Sequence, residues 1–138
     1  MYGGGDVFEK DVGEVMDSFL LTDWITIRAE ESVSSIAQPA SGWLELPEHE
    51  DAYLYTDVKQ VTNSLSLGFD TAIARQEASF VPLVAPFSLA VGLRLDGAPS
   101  QFVAVPLARF LRWRLVSGGG AGAWGATFRI WVAAYAYG

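Results

Sequence analysis

The chain has 138 residues, of which 51% are apolar and 18% charged, with no cysteine and a net charge of −7. That length suits one domain around one core. The missing thiols exclude a disulfide framework, thiolate metal sites and a cysteine nucleophile. The acidic balance argues against nucleic acid as a partner, because affinity for it comes mainly from neutralised phosphates. A charged share below the usual value of about 25% leaves apolar surface that a partner would cover.

The start, "MYGGGDVFEKD", has neither a basic lead nor an apolar run, so no signal peptide is expected. Phe8, Val12, Val15, Met16 and Phe19 recur at helical spacing, and Asp6 with Glu9 can form a capping box. Gly13 opposes a helix by about 1 kcal/mol relative to Ala. The reading is a short helix or extended arm over 7–17, within an arm of residues 1–18 that precedes a sandwich domain of residues 19–138.

From there the chain alternates with period two. "WITIR" buries Ile25 and Ile27, and "WLEL" buries Leu44 and Leu46. "YLYTDV" sets Leu54, Thr56 and Val58 against Tyr53, Tyr55 and Asp57. "SLSLGFD" buries Leu65, Leu67 and Phe69. "FSLAVGLRL" reads as one strand with Phe87, Leu89, Val91, Leu93 and Leu95 inward. Turn signals in "QPASG", "LPEHED", "VTNS" and "LDGAPS" separate these runs. About eight short strands at this spacing predict an all-β, antiparallel, jelly-roll-like β-sandwich. The longest uncharged run, Ala78 to Leu93, is broken by Pro82 and Pro86 and falls short of the roughly 18 apolar residues of a membrane span.

The stretch "RLVSGGGAGAWGATFRIW" holds Gly120, Gly122 and Gly125 in a G-x-G-x-x-G spacing. A dinucleotide turn needs a helix after the glycines, whose N-terminus holds the pyrophosphate. Here "ATFRIWVAAYAY" follows, rich in aromatic and β-branched residues. The glycines are therefore read as a hairpin connection between two strands, with no cofactor. In the first strand Leu111, Trp113 and Leu115 share a face; in the second, Phe128, Ile130 and Val132 do. With both sets inward, the outer face is expected to hold Arg112, Arg114, Arg129, Trp131, Tyr135 and Tyr137. These residue types are enriched at binding hot spots.

No catalytic set is legible. The single histidine, His49, lies in the acidic turn "PEHED" and reads as a solvated loop residue. Glu48, Glu50 and Asp51 lack the ordered spacing of a calcium loop. No Ser-His-Asp set is readable, and the chain is read as a non-enzyme. The charge is uneven: residues 1–57 carry −11 and residues 97–138 carry +4. Opposite ends of this kind can pair within one subunit or between neighbours.

The second half resembles small jelly-roll or discoidin-like β-sandwich proteins of phage and phage-like virions. The residues that carry the resemblance are "TAIARQEASFVPL" (71–83), "VPLARFLRWRL" (105–115) and "ATFRIWV" (126–132). It covers the chain from about Leu44 onward and implies an auxiliary capsid or decoration protein that does no chemistry. The reading that follows is a structural protein of a virion or phage-like particle, made in the bacterial cytoplasm. It would bind itself and a larger protein shell, and neither nucleic acid nor membrane. Its contacts would be the Arg and aromatic residues above, with Phe8 and Val12 of the arm laid on a neighbour. The alternative is a carbohydrate-binding module with exposed Trp and Tyr as a sugar platform.

Overall fold

The computed structural model describes residues 14–98 and 107–137. The strands are β1 (Glu14–Ala29), β2 (Ser35–Ala37), β3 (Leu44–Glu45), β4 (Asp51–Thr62), β5 (Leu65–Ala72), β6 (Val81–Ser88), β7 (Gly92–Ala98), β8 (Phe110–Ser117) and β9 (Trp124–Tyr137). Helix among the described residues amounts to two 3₁₀ turns, Ala40–Gly42 and Glu77–Ser79.

All strand pairings are antiparallel, in two sheets. One has the order β1-β9-β4-β7. The other has the order β2-β8-β5-β6, and β3 pairs with β8 further along the edge that β2 occupies. With β2 and β3 taken as one interrupted strand, the sequence positions read 1-8-3-6 and 2-7-4-5. This is the double Greek key of a jelly roll, so the predicted all-β sandwich is the fold.

Alternation places the core. Leu54, Thr56 and Val58 of β4 are buried, as are Phe128, Ile130, Val132 and Ala134 of β9. The opposing sheet contributes Leu65, Leu67 and Phe69 from β5 and Leu111, Trp113 and Leu115 from β8. The layers meet where the Trp113 and Phe128 rings pack edge to face with centroids 5.3 Å apart. Such a contact is worth about 0.5–1.5 kcal/mol beyond its burial. Ile25, Ile27 and Leu44 pack partly buried against this core.

Gln38 ties the two sheets together. The β1–β9 ladder shifts register between Phe128 and Trp131, so Thr22 and Leu20 find partners on β9 while Leu21 is passed over. The buried Gln38 side chain donates from Nε2 to the Leu21 carbonyl at 2.9 Å and to that of Gly42 at 2.9 Å. Its backbone donates to the Trp113 carbonyl. A carbonyl orphaned by the bulge in one sheet is thereby satisfied from the edge of the other, as buried backbone groups require.

Three expectations are corrected. First, of the two readings of residues 7–17, the helical one gives way to the extended one over 14–17, where β1 begins at Glu14; Phe8 and Val12 lie outside the described residues. Second, "FSLAVGLRL" is two strands. β6 ends at Ser88, the chain bends, and Gly92 at φ +125° opens β7 in the opposite sheet. Leu89 is buried, but Val91, Leu93 and Leu95 are 67%, 71% and 57% exposed. The inward side of β7 carries Arg94 instead, whose guanidinium lies 3.7 Å from the Phe87 ring centroid and is held by Asp96 at 2.9 Å. An ion pair closes this edge of the sandwich, and the leucines face away.

Third, β8 and β9 are not a hairpin. They belong to different sheets, and residues 118–123 cross between the layers. Gly119 and Gly122 have φ of +85° and +91°, which L-residues seldom adopt. Asn63 Nδ2 bonds the Ala123 carbonyl, and Glu31 accepts from Gly122 N at 2.9 Å. The connection is thus a tied crossover.

Phe128→Ala should cost about 3–5 kcal/mol, read as a lower urea midpoint with unchanged m-value. A midpoint equal to that of the parent would remove Phe128 from the core.

Candidate functional site

The two sheets finish their outer faces in opposite ways. On the β8–β5 side, Asp70 is buried and accepts from Arg112 Nε at 3.1 Å and from Arg114 Nε at 3.1 Å. Arg112 reaches Glu77 at 2.7 Å and lies 4.0 Å from the Phe80 ring centroid. Phe80 packs on Trp43 at 4.7 Å. The Trp43 indole donates to the Gln38 carbonyl at 2.8 Å, and Arg75 donates to that of Ala40 at 2.8 Å. The connections around Trp43 and Phe80 therefore lie over this face, and its charges are paired beneath them.

On the other sheet the outward residues line up in rows across all four strands. One row is Ser18, Ala133, Tyr53 and Gly97; the next is Leu20, Trp131, Tyr55 and Leu95. Neither contains a charge. Arg129, Asp57 and Leu93 flank them on one side, with Arg129 Nη2 at 3.6 Å from the Asp57 carboxylate. Met16 and Tyr135 lie on the other side. Trp131 is 41% exposed and Met16 52%. A shallow depression of about 520 Å³ runs between Met16, Tyr55, Leu93, Trp131 and Tyr135. Beside Arg129, Trp24 is flanked by two cations, Lys59 Nζ at 4.2 Å and the Arg129 guanidinium at 4.8 Å from its ring.

The residues expected on one outer face thus lie on two, on opposite sides of the sandwich. Arg112 and Arg114 are on the capped face, and Arg112 is buried. Arg129, Trp131 and Tyr135 are on the open one. Tyr137 belongs to β9, and Phe8 and Val12 lie outside the described residues. The four C-terminal arginines all have partners inside the subunit: Arg109 with Glu45, Arg112 and Arg114 with Asp70, and Arg129 with Asp57. The uneven charge of the sequence is to that extent neutralised within one chain. Met16, Leu20, Tyr55, Leu93 and Leu95 join the open face without having been foreseen there. For Tyr55 the signal was available, since alternation put Leu54, Thr56 and Val58 inside.

The remaining candidates find structural roles. His49 is not a solvated loop residue: its ring sits against Phe19 at 5.7 Å and its Nε2 is 2.8 Å from the Asp17 carboxylate. Among the described residues no three His, Asp or Glu side chains form a metal-binding group. The glycine stretch leads into β9, so a strand and not a helix begins after it. A Cβ on Gly125 would strike the Ile27 carbonyl, which explains glycine where β9 lies against β1. No helix among the described residues is long and apolar enough to cross a membrane.

No family model and no curated protein sequence matches this chain. Solved structures do resemble it. The structure of the infectious bursal disease virus Gx strain superposes with a TM-score of 0.53 at 12% identity, over 91% of this chain and 32% of the viral one. The VP2 subviral particle of the same virus gives 0.53 at 12% identity, over 99% of this chain and 42% of that one. The chain therefore spans about a third to two fifths of these viral proteins. At such identity the likeness is one of fold. It supports a capsid-like β-fold, and neither structure is described as a phage component.

Asp70→Ala should destabilise the protein by about 3–5 kcal/mol, because it removes the buried counter-charge of Arg112 and leaves it only the exposed Glu77. Arg114→Ala should cost less, about 1–2 kcal/mol, since Asp70 keeps Arg112; equal losses in urea unfolding would contradict this ranking. The hydrogen bond from Arg112 holds the Glu77 carboxyl below its ordinary value of 4.5. A lowered folded-state value means stability that is complete above pH 4.5 and lost as pH falls through the folded value. Glu77→Gln should accordingly flatten the fall in thermal midpoint below pH 4.5; an unchanged slope would show that the contact does not titrate.

Proposed function

We propose that this chain is a non-enzymatic structural protein that packs into a larger assembly through the outer face of the β1-β9-β4-β7 sheet. The observation that carries the reading is the contrast between the two outer faces. Over β8 and β5, one carries the paired Asp70, Arg112 and Arg114 and is covered by the chain's own connections. The other presents Leu20, Tyr55, Leu93, Leu95 and Trp131 uncovered by any described residue. A contiguous apolar face of this kind marks an interaction site on a protein that otherwise keeps charge at its surface. The jelly roll hosts many functions, so the viral fold likeness supports a particle component only together with this face. In its finer form, the proposal is an auxiliary or decoration protein of a virion, of phage type by the sequence resemblance, located in the assembled particle.

The carbohydrate alternative is less well supported. A sugar site needs convergent donors and acceptors beside its aromatic platform. The depression between Tyr55 and Trp131 offers Ser18 and tyrosine hydroxyls among Met16, Leu93 and Ala133.

A tagged chain expressed in its native host should sediment with a particulate fraction. Trp131→Glu, placed on the open face, should move it to the soluble fraction with a thermal midpoint within about 2 °C of the parent. A parent chain found entirely in the soluble fraction would overturn the assembly reading.

A further inference from the structure

Resting on that reading, we infer that the first occupant of the open face is a second copy of this chain, stacked face to face about a two-fold axis. The axis lies in the contact plane, parallel to the strands and between β9 and β4.

The register of the four strands carries the argument. β9 and β4 are the two central strands of the sheet. Rotation about an axis between them lays β9 of one copy over β4 of the other without changing position along the strands. Residues that are cross-strand neighbours within one sheet then become the residues that meet between sheets. Trp131 and Tyr55 are such neighbours, so Trp131 lies on Tyr55 of the partner subunit, aromatic on aromatic. Arg129 and Asp57 are also neighbours, 3.6 Å apart at their charged ends, so each Arg129 lies over Asp57 of the partner subunit. The outer strands exchange in the same way, and Leu20 on β1 meets Leu95 on β7 of the partner subunit. The face thus matches itself in residue type and in charge.

The alternatives fit less well. A partner of one net charge would find the two central rows uncharged and, at their margin, Arg129 and Asp57 of opposite sign side by side. Residues 1–13 of the same chain carry Asp6, Glu9 and Asp11 against Lys10; the cations nearest the face, Arg129 and Lys59, are engaged with Asp57 and Trp24. The area is also of the right order. Four strands about 4.8 Å apart, and a length of six residues at about 3.3 Å each, give roughly 400 Å² before side-chain relief. Two such faces bury roughly 800 Å² before side-chain relief, the size of a weak or transient interface below about 1,200 Å². A copy carrying −7 adds repulsion, so the pair should be reversible and concentration-dependent.

Sedimentation velocity on the full chain tests this with charge reversal. The parent should shift from monomer to dimer as concentration rises. Arg129→Asp alone and Asp57→Arg alone each place like charges opposite one another twice, and each should weaken pairing about tenfold or more. An equimolar mixture of the two variants should recover a dimer, because each reversed residue then meets its opposite on the other copy. Ala133→Cys, the only thiol in a cysteine-free chain, should be joined to itself by a bismaleimide spanning roughly the 10 Å between stacked sheets. Val81→Cys, on the opposite sheet, should not. A parent that stays monomeric, single variants that pair like the parent, or a mixture that fails to recover would each overturn the second-copy inference. A monomeric parent that still enters particles in its host would leave the assembly reading standing with a different protein on the face.

Discussion

Trp113 and Phe128 meet edge to face across the middle of the sandwich, and the rest of the structure is arranged around that contact. The two residues lie on consecutive strands, yet those strands belong to opposite sheets. The contact forms because residues 118–123 carry the chain across the sandwich rather than back along one layer. Crossing between layers sets which side chains face inward on each strand, and so which faces remain outside. It also closes the double Greek key, since β9 enters its sheet between β1 and β4, two strands laid down much earlier.

A sandwich of two sheets has two outer faces, and an open β-face must be polar, covered or used. The β8–β5 face is covered: Arg112 and Arg114 converge on Asp70 beneath Trp43 and Phe80. A buried charge cluster of this kind is tolerable only when every member is paired, and the overlying connections exclude water from it. The β9–β4 face has no such cover among the described residues. Its polar groups retreat to the flanks, as Arg129 with Asp57 and Lys59 over Trp24. The strand β7 adds to the asymmetry by turning Arg94 inward over Phe87 and its leucines outward. One face is covered within the chain over β8 and β5, and the other is open among the described residues.

The charge pattern takes a different meaning in this light. An acidic first part and a basic last part left pairing open, within one subunit or between neighbours. In the folded chain, Glu45, Asp57 and Asp70 take up the four C-terminal arginines. What remains on the open face is chiefly apolar surface, with the Arg129–Asp57 ion pair at its margin. The viral particle structures are similar to this chain in fold, at 12% identity.

Alternation by itself determined the β-sandwich and most of its core. Leu65, Leu67, Phe69, Leu111, Trp113, Phe128 and Ile130 are inward because period-two patterning is a local property of a pleated strand with one buried side. The sequence also showed that no helix follows the glycines, which removed the nucleotide reading. It could not show which sheet each strand joins, because that depends on pairings between residues far apart in the chain. For that reason β8 and β9 read as a hairpin, and Arg112 and Arg114 were grouped with Trp131 although a whole sandwich lies between them. The same limit hid Leu93 and Leu95. Their alternation with Arg94 is plain, but the bend before Gly92 passes the chain to the opposite sheet, and an edge position made the charged side the inner one. Periodicity tells which residues share a face, and only the tertiary pairing decides whether that face meets the core or the outside.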